Sequence, residues 1–192
     1  MELELTPKIP EKKPSRNLSA EIHPLHPLQT YPELLHQAGE KIHEEWMKRN
    51  TKQDYNAHLH VPYKELPKSE QEKDLEHLYS VCELLDQIPR GKKEPADQYA
   101  ERLANSFGSL QHEKWRQGFD PEKSGKERIK NSPDGPTNIN VPWEELHPEW
   151  KKENLSAGRI AVQAYRELTI AIAEKIFQEA TKHTTEHTRT TK

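Results

Sequence analysis

Gly39-Glu40-Lys41-Ile42-His43-Glu44-Glu45-Trp46 returns as Gly108-Ser109-Leu110-Gln111-His112-Glu113-Lys114-Trp115, with four of eight positions identical. The shared pattern is G-x-x-x-H-E-x-W at an offset of 69 residues, and Leu34 and Leu103 keep the same register. Downstream, Val61-Pro62-Tyr63-Lys64-Glu65-Leu66 returns as Val141-Pro142-Trp143-Glu144-Glu145-Leu146 at an offset of 80, continued by Asp74-Leu75 and Asn154-Leu155. Two blocks repeated in the same order mark a tandem duplication. The offset grows by eleven, so the second copy holds eleven extra residues between its blocks. They fall in Asp120–Asn140, where Pro121, Gly125, Pro133 and Asp134-Gly135-Pro136 spell a loop.

Outward from these blocks, each copy reads as helix, loop, short extended segment and second helix. Leu35, Ala38, Ile42 and Trp46 recur at helical spacing, as do Tyr99, Leu103, Phe107 and Leu110 after Pro95. Gly118 ends that stripe. Proline at 62 and 142 pushes the preceding valine out of helical angles, which predicts extended backbone there. Ser69 with Glu72 reads as a capping box opening a helix through Leu75, Leu78, Cys82 and Leu85. The last helix is expected from Glu149 through Ile176, with fraying after Ala180. The fold class that follows is mainly α with short β segments, in two pseudo-symmetric helix–loop–strand–helix repeats. Residues 1–30 read as a flexible Pro-rich arm, 31–90 as the first repeat, 95–180 as the second and 181–192 as a flexible tail. A unit of about 60 residues buries only roughly 60% of its unfolded surface. The copies are therefore expected to pack together about an approximate two-fold axis.

Composition sets the outer bounds. Of 192 residues, 31% are hydrophobic and 32% charged, too polar for a large core. Residues 1–32 hold six of the fifteen prolines, the basis for the extended arm. A net charge of −3 argues against general nucleic-acid binding, which depends on neutralising phosphates. One cysteine, Cys82, rules out an intrachain disulfide framework and fits a reducing cytosol, with the thiol as a small core residue. The start of the chain lacks the apolar run of a signal peptide, and the longest apolar stretch, Thr169–Ala173, is too short to span a bilayer. A soluble cytoplasmic protein is expected.

The two blocks together resemble the RyR domain, the repeat named for ryanodine receptors and present in bacterial and phage proteins. The resemblance spans roughly residues 31–88 and 95–172. His43, Trp46, Val61-Pro62-Tyr63, Glu65-Leu66 and Lys73-Asp74 carry it in the first copy. His112, Trp115, Val141-Pro142-Trp143, Glu145-Leu146 and Glu153-Asn154 carry it in the second. The family's aromatic-glycine segment and following R-D pair are missing from the first loop and only echoed by Gly118-Phe119. The resemblance implies a non-enzymatic module with an adenine-nucleotide-type ligand between paired repeats, near the tryptophans of their first helices. It implies a sensor of nucleotide-type signals in the bacterial versions.

The residue chemistry gives such a site a physical basis. Tryptophan three positions after histidine shares its helix face. A base stacked on an indole gains about 1–3 kcal/mol. His43 and His112 can donate to a base edge or phosphate, and Arg49, Arg116 and Lys48 can meet phosphate oxygens. Lys123, Lys126, Arg128 and Lys130 could close over the charge, although a solvated loop is the stronger reading of that segment. The expected ligand-binding set is His43, Trp46, Arg49, Tyr63, His112, Trp115, Arg116 and Trp143. Beside this stands a plainer reading, in which the aromatic residues are core and each histidine bonds a backbone carbonyl. Core packing is the stronger reading for Tyr63 and Trp143, while the two readings of Trp46 and Trp115 stand level.

Metal and catalytic chemistry find little support. The positions that would complete H-E-x-x-H are Met47 and Arg116, His183 and His187 sit in the tail, and His58 and His60 alone do not make a site. No phosphate-binding glycine loop or nucleophile elbow is present. The chain is expected to be no enzyme, with no metal or cofactor. Its expected partner is a nucleotide-like small molecule in the inter-repeat cleft, without nucleic acid or membrane. A protein-interaction module working through the N-terminal arm is the alternative.

Overall fold

The computed structural model describes residues 27–118 and 127–189. These residues are mainly helical, with one small two-stranded sheet among them. The helices are α1 (Pro32–Arg49), α2 (Lys68–Gln87), α3 (Ala96–Gly118) and α4 (Pro148–Arg189). Strands β1 (Ile129–Ser132) and β2 (Gly135–Asn138) pair antiparallel between α3 and α4. No described helix is long and apolar enough to cross a membrane.

Apolar residues at helical spacing build two joined clusters. Leu35, Ala38 and Ile42 of α1 meet Leu75 and Leu78 of α2 and Ala164 and Leu168 of α4. Val81 and Leu84 of α2 meet Leu103 and Phe107 of α3 and Ala161 of α4. Both clusters use α2 and α4, so each draws on residues from both sequence repeats.

The duplicated glycines have a packing reason. A Cβ on Gly39 would stand 2.8 Å from both Leu75 Cδ2 and Tyr63 Oη, and one on Gly108 would stand 3.2 Å from the Asn154 carbonyl. Each lets the following helix of its own copy close in. Gly158 goes further, since a Cβ there would lie 2.3 Å from the Ala104 carbonyl oxygen where α3 and α4 touch.

Several expectations are corrected. The V-P-aromatic segments are not strands; each opens a 3₁₀ turn, Tyr63–Glu65 and Trp143–Glu145. Pro62 and Pro142 are extended, and their carbonyls then accept from Glu65 N at 2.8 Å and Glu145 N at 3.0 Å. Leu66 and Leu146 are thereby turned inward and buried. Strand structure lies instead in the segment read as a loop. There Pro133-Asp134 forms a two-residue connection, and Gly135, at φ +117°, supplies the conformation that closes it.

Ser69 does not cap α2. The helix begins two residues earlier than that cap would place it, at Lys68 after Pro67, and the Gln71 side chain holds its start by donating to the Tyr63 and Leu66 carbonyls at 3.1 and 3.0 Å. Cys82, expected in the core, is only half-buried.

At the N-terminal end, the arm expected through residue 30 gives way to a 3₁₀ turn at Pro27–Thr30, with Leu28 only 2% exposed in the core. Residues 1–26 lie outside the described residues. Helix α4 continues past Ala180, where fraying was expected, because extending an existing helix adds a hydrogen bond for each residue fixed.

Candidate functional site

The first block of each copy is tied to the second by one hydrogen bond. His43 donates from Nε2 to the Val61 carbonyl at 2.9 Å, and His112 donates from Nε2 to the Val141 carbonyl at 2.8 Å. A carbonyl only accepts, so the proton on each ring is assigned to Nε2. Each imidazole then lies against the tryptophan three residues on, at 5.8 Å between the His43 and Trp46 centroids and 5.9 Å between His112 and Trp115. The aromatic of the V-P block is tilted against the same imidazole, Tyr63 at 6.3 Å and Trp143 at 5.9 Å. His43, His112 and Tyr63 are buried. These rings build the wall behind the tryptophans.

In front of that wall is a cavity of about 320 Å³ to which all four helices contribute. Trp46 and Arg49 reach it from α1, Asp74 and His77 from α2, and His112 and Trp115 from α3. Trp150, Glu153 and Asn154 line it from α4, and Arg128 and Lys130 from the hairpin. Trp46 is half-buried and Trp115 remains 38% exposed. The hairpin is fastened to α4, since Trp150 Nε1 donates to Thr137 Oγ1 at 3.0 Å and the Lys130 ammonium lies 4.9 Å from the Trp150 ring centroid.

Of the eight sequence-derived site residues, Trp46, Arg49, His112 and Trp115 line this cavity. His43, Tyr63, Arg116 and Trp143 do not. His43 is committed to Val61, and Tyr63 is packed under α1, where its hydroxyl lies 3.1 Å from His36 Nδ1. Arg116 is paired with Glu113 at 2.8 Å, and Glu113 also accepts from the Trp143 backbone N–H at 3.1 Å. That pair braces the V-P turn from within the second copy. Of the basic loop residues, Arg128 and Lys130 reach the cavity, while Lys123 and Lys126 lie outside the described residues. Lys48 is paired with Glu45.

Asp74, His77 and Trp150 were not singled out by sequence chemistry. One signal could have found Asp74. It and Asn154 stand at the same place in the 80-residue register, and both line the cavity. His77, three residues on, shares its helix face.

Electrostatics distinguish these two residues. Burial pushes the Asp74 carboxyl up to about 7, with Glu70 adding to the rise and Lys73 opposing it. Burial also holds the His77 imidazole down to about 4, helped by the positive charges of Arg49 and Lys114. At neutral pH His77 is an uncharged ring with one donor and one acceptor, packed edge-on against Phe107 at 5.4 Å. Arg49, Arg128 and Lys130 outnumber Glu153 and Asp74 on the lining, so the cavity favours an anion. No group of three or more metal-ligating side chains occurs among the described residues.

Comparison with protein-family models, with curated proteins and with solved structures gives no match.

Proposed function

We propose that the chain is a non-enzymatic ligand-binding module, a sensor or sequestering protein, that takes a nucleotide-like small molecule in the cleft lined by Trp46 and Trp115. The observation that carries this reading is that both duplicated indoles line one cavity that also holds Arg49, Arg128 and Lys130. Flat aromatic surfaces suit a base, and cations suit phosphate. A volume of about 320 Å³ is at the small end for ligand sites, which fits a base and sugar with phosphates towards the basic residues. The duplicated His-to-Val bonds support reading the two halves as paired RyR-type repeats about a shared cleft. A cytoplasmic setting accompanies this proposal.

Titrating ADP, ATP, ADP-ribose and cyclic nucleotides against the intrinsic tryptophan fluorescence of the full chain tests it. Saturable quenching is expected, weakened roughly tenfold by Trp46→Ala or Trp115→Ala, in line with the stacking gain of one base. Folded protein that responds to none of them would count against the reading.

One observation favours the alternative, a protein-interaction module. Ile170, Ile176 and Phe177 of α4 are 50%, 52% and 70% exposed. Deletion of residues 1–26, which spares the buried Leu28, would separate a role of the arm from one of this helix.

A further inference from the structure

The cavity lining includes two polar side chains, Asp74 and His77, that make no hydrogen bond among the described residues. Among the described residues, Asp74 has a single ion-pair contact, His43 Nδ1 at 3.6 Å, which is beyond hydrogen-bond reach. The ring nitrogens of His77 make no hydrogen bond among the described residues, and the Phe107 ring meets the imidazole edge-on. Both side chains are half-buried and line the cavity, so a ligand seated there can meet their polar atoms. Asp74 and His77 are adjacent on one face of α2, whereas Arg49, Arg128 and Lys130 come from α1 and the hairpin. The groups that could read a base and the groups that could hold phosphate therefore come from different elements.

From this arrangement we infer that Asp74 reads the edge of a guanine base, making the preferred ligand a guanine nucleotide. This rests on the cleft reading above and narrows it. An ionised carboxylate only accepts, and its two oxygens match two adjacent donors. Guanine offers that pair on one edge, in N1–H and the 2-amino group. Adenine and cytosine place one donor beside an acceptor, and uracil sets one donor between two acceptors. Two charge-assisted bonds of this kind are about twice as strong as neutral ones. The neutral His77 supplies an N–H for guanine O6. Glu153, the other carboxylate on the lining, lies in the field of Arg49 and is exposed.

Calorimetric titration of the full chain at pH 8, where the Asp74 carboxyl is ionised, gives the test, with GDP, IDP, ADP and XDP as probes. GDP is expected to bind roughly tenfold to a hundredfold more tightly than IDP, which lacks only the 2-amino group. Asp74→Asn should lose that margin and prefer XDP, because the amide donates to the xanthine O2 and accepts from N1–H. The comparison of GDP with IDP on the unaltered chain needs no variant. Equal binding of GDP, IDP and ADP, or an Asp74→Asn variant that still prefers GDP, would overturn the guanine assignment and leave the cleft reading standing. Failure of every nucleotide to bind would overturn both.

Discussion

His112 donates from Nε2 to the carbonyl oxygen of Val141 at 2.8 Å, joining the H-E-x-W helix of the second copy to its V-P turn. The first copy repeats this between His43 and Val61 at 2.9 Å. The repeated histidine is thus a clamp that fixes the wall on which each tryptophan rests. His112 also lines the cavity, but its donor is already committed to Val141.

Replacing either clamp removes a buried bond and leaves a carbonyl without its donor. His43→Ala and His112→Ala are each expected to cost roughly 1–3 kcal/mol, read as a lower midpoint in urea denaturation. A glutamine at either position should recover part of the loss, since its amide can also donate.

Asp74 and His77 act on stability in opposite directions. The folded state keeps Asp74 protonated up to about 7 against 3.8 for an ordinary carboxyl. Its stabilising effect is therefore full below pH 4 and lost as pH rises from about 4 to 7. His77 resists protonation down to about 4 against 6.5, so its effect is present above pH 6.5 and lost as pH falls towards 4. The two slopes offset in the shared window. Asp74→Asn should show stability rising with pH between 4 and 6.5, and His77→Gln should show it falling. Denaturation midpoints over pH 4–8 measure both, and Asp74→Asn should exceed the parent at pH 8 by roughly 1–3 kcal/mol.

Gly158 stands where α4 meets the Ala104 carbonyl, so Gly158→Ala forces backbone apart rather than filling space. Overpacking of this kind costs about 1–3 kcal/mol, visible in thermal melts. Gly118, whose Cβ would meet nothing within 4 Å among the described residues, is the control, and its alanine variant should melt close to the parent.

Truncation isolates the contribution of Leu28. A chain starting at residue 27 keeps Leu28, while one starting at residue 31 loses it from the cluster it shares with Leu35, Ala38 and Leu168. The second should be less stable by about 2 kcal/mol or more, the scale of a buried leucine.

Much of the architecture was legible in the sequence because it rests on periodicity. The stripes through Leu35, Ala38 and Ile42 and through Leu103 and Phe107 point inward as their spacing predicts. The V-P segments misled because proline excludes a helix at the preceding residue but says nothing against a 3₁₀ turn at the following aromatic. The hairpin was hidden by composition: Ile129 is the one residue of Ile129-Lys130-Asn131-Ser132 that usually announces a strand. Its pairing is held instead by the turn at Gly135 and the anchor from Trp150 to Thr137. At the site, the duplicated tryptophans were visible as a pattern and both line the cavity. Asp74 was visible only through its register with Asn154, and His77 not at all, because the burial that shifts their acidity is set by the fold.

Proton–nitrogen spectra of the indole groups test the shared cleft most directly. During titration with GDP, the Nε1–H signals of Trp46, Trp115 and Trp150, which line the cavity, should shift together with one binding curve. That of Trp143, placed behind His112, should stay where it is. Indole signals that all remain fixed with GDP and with the other nucleotides, or a shift confined to Trp143, would contradict the account.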